Sequence, residues 1–142
     1  MRRSVLTLVA TLVLGLTLGA SLPGLVGALH GAAGLPVKVT ELYKTDLVES
    51  DGREGSLWLA ELAPGAAVGR HFHPGDAFAY ILEGTLTLEV DGQTPVTLKP
   101  GESGSVRPGQ IHDDRNSSQT QPLKFLVFHI ARKGQPLAIP AK

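Results

Sequence analysis

"GRHFHPGDAFAYILEG", residues 69–84, decides how this chain folds. On an extended strand His71 and His73 point to one face and Phe72 to the other, because side chains alternate with a period of two. Pro74, Gly75 and Asp76 then interrupt the strand, and a second one begins. In it Ala77, Ala79 and Ile81 share one face, while Phe78, Tyr80 and Leu82 share the other. Parity places the small and aliphatic row inside. Gly84 closes the segment with a turn.

The same alternation recurs on both sides of this stretch. Residues 37–47 read as an edge strand, 49–55 as a polar turn cluster and 56–65 as a strand closed by Pro64-Gly65. Residues 85–98 form the clearest hairpin, with Asp91-Gly92 suited to a tight turn that needs positive φ. Residues 99–116 hold two more turns around a short strand, and 122–134 are a last apolar strand. No segment keeps a helical period over three turns. Seventeen glycines and ten prolines in 142 residues supply the many turns that short strands need. The expected fold class is therefore all-β, an antiparallel jelly roll.

The first residues have a different character. Arg2 and Arg3 precede an apolar run from Val5 to Leu18 and then small residues, the order of an export signal removed from the mature protein. Residues 1–28 are the expected signal peptide, with cleavage after Ala28 or Ala33. The alternative is an uncleaved membrane anchor, since about 20 apolar residues span a bilayer; Pro23 and Gly24 weaken it. Export is thus expected to the periplasm or beyond, by a general or a twin-arginine route. His30 lies beside the cleavage region and has no assigned role. After Ala28, residues 37–133 form one expected domain and 134–142 a tail that lies across a sheet or a second subunit.

Charge and cysteine content exclude several functions. Thirteen basic and thirteen acidic residues leave no net charge, so no basic surface suits nucleic acid. There is no cysteine, which excludes disulfides, thiolate metal sites and a cysteine nucleophile. Any metal must be held by histidine and oxygen.

Two histidines near a turn are explained as well by exposure as by metal binding. His112, on a predicted strand behind "RPGQ", changes the balance, because three histidines converging from two strands leave the other positions of an ion open. Asp114 shares a strand face with His112 about 6.6 Å along the chain, within reach of a bound water or an imidazole. The alternative is a solvated acidic pair, Asp113 and Asp114. Glu83 stands six residues beyond Ala77, roughly 20 Å at 3.3 Å per residue, too far to serve. His129 is either a fourth inward imidazole or a satisfied core residue. Trp58 belongs to the core or an interface, and Arg107 either meets an anion or is simply exposed.

At these residues the chain resembles the cupin superfamily. The first motif of that family, G-x5-H-x-H-x3,4-E-x6-G, is matched by Gly65, His71, His73 and Gly84, with Ala77 where the glutamate stands. The second, G-x5-P-x-G-x2-H-x3-N, is matched by Gly101, Gly109, His112 and Asn116, with Arg107 at the proline position. The resemblance implies a double-stranded β-helix, the cupin jelly-roll barrel. It implies that His71, His73 and His112 ligate a divalent transition metal (iron, manganese, nickel, zinc or copper), with the motif residue Asn116 near them; Asp114, by its strand spacing, is expected to stand there too. Ala77 surrenders one ligand position to solvent or substrate, and Ala79, Ile81 and His129 are expected to line the pocket beside it. The superfamily includes three-histidine dioxygenases, so a quercetinase-like or diketone-type dioxygenase is one expected function. A non-enzymatic periplasmic cupin that binds or senses a metal or small ligand is the other. A small-molecule partner and a homodimer are expected in either case.

Overall fold

The structure, a computed structural model, describes residues 36–142; the expected export signal lies outside the described residues. Every regular element among the described residues is a strand, and the ten strands form two five-stranded sheets. The first sheet runs in the order β1 (Val37–Asp46), β2 (Arg53–Leu62), β9 (Leu123–Arg132), β4 (Asp76–Glu83) and β7 (Ser103–Val106). The second runs β10 (Ile139–Pro140), β3 (His71–Phe72), β8 (His112–Asn116), β5 (Leu86–Val90) and β6 (Val96–Leu98). All of these pairings are antiparallel. The fold is the all-β double-stranded β-helix that the sequence leads one to expect.

Alternation decides which side chains enter the space between the sheets. On β9 Leu123, Phe125, Val127, His129 and Ala131 are buried while their neighbours are not. On β4 Ala77 and Ile81 are buried, whereas Phe78, Tyr80 and Leu82 remain about half exposed on the outer face. The core between the sheets includes Leu62, Ile81, Leu86, Leu123 and Phe125, each almost fully buried. Each such side chain contributes about 1.5–3 kcal/mol by leaving water.

Three boundaries differ from the sequence reading. Strand β2 begins at Arg53, so the polar turn is shorter; Glu49, Asp51 and Gly52 take positive φ there to reverse the chain. Asp91 and Gly92 occupy a turn closed by Gln93 N–H donating to Val90 O at 3.0 Å, with Gly92 at φ 75°. Pairing resumes only at Leu88 with Val96, so the hairpin loop is longer than a two-residue turn. Residues 139–140, read as part of the tail, form the edge strand β10 beside β3.

Gly75 sets the corner between β3 and β4. A Cβ there would stand 2.0 Å from the Ile130 carbonyl oxygen, so only glycine lets this corner lie against β9. The corner lets consecutive segments enter different sheets, with His73 beside one and Ala77 on the other.

Candidate metal centre

Strand β3 pairs with β8 through one residue pair, His71 with His112. That register puts their ring centroids 4.2 Å apart. His73, just past β3, places its ring 5.1 Å from His71 and 5.0 Å from His112. One nitrogen from each ring lies within 4.8 Å of the other two. All three side chains are buried.

The second nitrogen of each ring explains the convergence. His71 Nδ1 lies 2.7 Å from Gly69 O, His73 Nδ1 2.6 Å from Leu137 O, and His112 Nδ1 2.9 Å from Gln110 O. A carbonyl oxygen only accepts, so each Nδ1 carries the hydrogen and donates it. In a neutral ring Nε2 then keeps its lone pair. Burial pushes the His73 imidazole down to about 4, overcoming its bond to Leu137, and burial also lowers His112. Near neutral pH these two rings are therefore uncharged donors. Three imidazole nitrogens and no thiolate suit a divalent first-row ion, and the residues present fit such a group.

Ala77 faces the same interior and is 3% exposed. It lines, with His73, His112 and Asp114, part of a narrow pocket with about 20 Å³ of free volume. The remaining walls are mostly apolar: Ala79, Leu86, Leu88, Val106, Phe125 and Val127. Asp114 Oδ2 is 4.0 Å from His112 Nε2. Burial, opposed by His71 and helped by Asp113, raises the Asp114 carboxyl to about 6. A carboxyl in that range shares its population between acid and base near pH 6.

Other expected site residues sit elsewhere. Ile81 is in the core and is not among the residues lining this pocket. His129 is also absent from the lining; its ring lies 5.7 Å from His73 and its Nε2 is buried without a hydrogen-bond partner. It pairs in register with Ala77 across β4 and β9. Burial lowers its basicity, opposed by Glu54 and Asp76. Asn116, expected beside the ligands, instead donates its amide hydrogens to the carbonyls of Leu62, Ala63 and Gln121, at 3.3, 3.1 and 2.9 Å. Its side-chain oxygen accepts from Ser118 N–H at 3.1 Å. Asn116 thus ties β8 to two neighbouring turns.

The pair Asp113 and Asp114 is buried, not solvated. Asp113 Oδ1 accepts from Gly69 N–H at 2.8 Å and Oδ2 from Arg115 at 3.3 Å, which fixes the approach to His71. Sequence reasoning missed that role for Asp113, although strand alternation separates it from Asp114. It missed Leu137 as well, because a main-chain carbonyl leaves no residue-type signal.

Comparison with known proteins agrees with this geometry. Residues 58–129, half of the chain, match the cupin domain family. The chain is 41% identical over 78 residues to the tetracenomycin polyketide synthase protein TcmJ of Streptomyces glaucescens, covering 54% of this chain and 50% of that protein. It therefore spans about half the length of that curated relative. A double-stranded β-helix protein from Klebsiella pneumoniae superposes with a TM-score of 0.59 at 20% identity, covering 75% of this chain and 85% of the other. The polyketide cyclase RemF of Streptomyces resistomycificus gives 0.58 at 23% identity, covering 75% and 72%. At such identities the structural likeness concerns the fold alone.

Proposed function

The chain belongs to the cupin domain family, and from that premise we propose that it holds a divalent metal through His71, His73 and His112 and acts on a small enolisable or phenolic compound. The observation that carries this reading is the convergence of three Nε2 lone pairs, each enforced by a carbonyl on Nδ1, beside a mostly apolar pocket that His73 and His112 line. A divalent ion held there would supply positive charge to an oxyanion and open positions for oxygen donors. Leu86, Leu88, Val106, Phe125 and Val127 give the space mostly apolar walls, and with about 20 Å³ free they must shift apart to admit the body of such a ligand. Ala77 leaves the space in which its oxygen atoms fit. Asp114 Oδ2, raised towards neutrality by burial, holds or accepts a proton in the pocket.

The partial likeness to a polyketide synthase protein supports a 1,3-dicarbonyl or polyphenolic ligand. Oxygenation of the quercetinase or diketone type is the redox form of this chemistry. Incubation of metal-loaded protein with catechols, flavonols and β-diketones, followed by oxygen electrode and mass spectrometry, tests it. Oxygen uptake coupled to product identifies a dioxygenase, and product without uptake identifies a cyclase or lyase. Ligand binding without product supports the second reading, a binding or sensing cupin, which Ala77 favours by removing the carboxylate at its position.

The basic and apolar start of the sequence supports export to the periplasm. The exposed row of Phe78, Tyr80, Leu82 and Phe128 supports pairing of two copies, measurable by sedimentation.

A further inference from the structure

The three imidazoles are not held alike. His71 and His112 each bond to the carbonyl two residues earlier in the chain, Gly69 and Gln110. Those bonds are local. His73 depends on Leu137, 64 residues away in sequence. Strand β3 itself is two residues long and meets β8 through one pair. Its other side is covered by β10, where Ile139 pairs with Phe72 and Pro140 with His71. Ala141 N–H donates to Arg70 O at 2.9 Å and extends that cover by one more bond.

The covering segment is anchored before it reaches the site. Gly134, at φ 81°, reverses the chain after β9, and its N–H points to Glu54 Oε1 at 3.4 Å. The Leu137 side chain then packs against the core, which presents its carbonyl to His73. Pro140, lacking an N–H, sits on an edge strand where none is needed.

We infer that residues 135–141 are a positioning strap whose Leu137 carbonyl fixes His73 with its hydrogen on Nδ1 and aims Nε2 at the centre. Metal affinity then depends on a segment that contributes no ligand. The inference rests on the metal-centre reading only for its effect on affinity; the tautomer of His73 is a property of the metal-free chain. Without the carbonyl, the ring is free to carry its hydrogen on Nε2, the atom that must stay bare to ligate.

The test compares the intact chain with two variants, one ending at Gln135 and one full-length with Leu137→Gly. Ring-nitrogen NMR of metal-free protein labelled with nitrogen-15 reads the tautomers, and titration with cobalt(II) reads affinity. In both variants His73 should lose its Nδ1–H signature while His71 and His112 keep theirs. Cobalt affinity should fall by about 10–100-fold, the usual cost of losing a group that orients a ligand. A synthetic peptide of residues 134–142 should restore both readouts to the shortened chain. If the shortened chain does not fold, the Leu137→Gly protein decides alone. An unchanged His73 signature in a folded variant overturns the strap, as does an affinity within about twofold of the intact chain. If the intact chain binds no cobalt, the metal reading fails and the nitrogen shifts alone decide whether the strap holds His73.

Discussion

The two sheets divide the work of the molecule unequally. In the first, β1, β2 and β9 are each ten residues long and β4 is eight; β2, β4 and β9 turn apolar side chains inward, while β1 is largely exposed. In the second no strand exceeds five residues, and β3 and β10 have two each. Yet His71 and His112 lie on that second sheet and His73 adjoins it. Long, regularly paired strands bury enough apolar surface to set the fold, and the short strands are free to carry buried imidazoles. A buried polar group without a partner costs about 1–3 kcal/mol, so each ligand needs its carbonyl.

This division is open to attack from either side. The largest effect on stability belongs to the first sheet: Phe125→Ala should cost about 3–5 kcal/mol in denaturant unfolding, by loss of transfer energy and by the cavity left behind. The folded fraction should still bind metal. The largest effect on function belongs to the second sheet. His112→Ala should weaken metal binding by about 3 kcal/mol, one ligand's share of the affinity of a protein-held zinc ion, as read by calorimetric titration. Its metal-free form should remain closer in stability to the parent than Phe125→Ala does. A His112→Ala protein that is unfolded without metal would break the comparison, since the site would then be part of the scaffold.

Smaller effects sharpen the picture around the pocket. Asp114→Ala should lower metal affinity by about tenfold, near 1.4 kcal/mol, if its carboxylate steadies a bound water or an imidazole. Unchanged affinity and unchanged metal content would remove Asp114 from the centre. Ala77→Glu should raise affinity by about tenfold, because it adds an anionic oxygen donor from a side chain that already faces the pocket. No change there would show that the position does not reach the ion.

Much of the fold was legible because strand parity is written in residue type. Phe78, Tyr80 and Leu82 against Ala77, Ala79 and Ile81 gave the outer and inner faces of β4 directly. The histidine spacing gave the three rings that the structure brings together, since i and i+2 share a face and His112 follows a turn. What sequence did not reveal depends on main-chain atoms and on distant register. Asn116 looked like a site residue but serves carbonyls of turns that become its neighbours only after folding. Ile81 has the parity of a pocket residue, but how far along the strand the pocket extends depends on the opposite sheet. The pairing of β10 with β3 joins residues almost seventy positions apart through backbone bonds, and two short strands carry no alternation long enough to read.

The central claim is that His71, His73 and His112 form a metal centre. Elemental analysis of the protein purified from its native compartment, beside a His71→Ala variant, tests it most directly. The account predicts one divalent transition metal ion per chain in the first and loss of that metal in the second, with the protein melting higher when metal is bound. Protein without metal in both samples, and no rise in melting temperature on adding iron(II), manganese, nickel, zinc or copper, would contradict it.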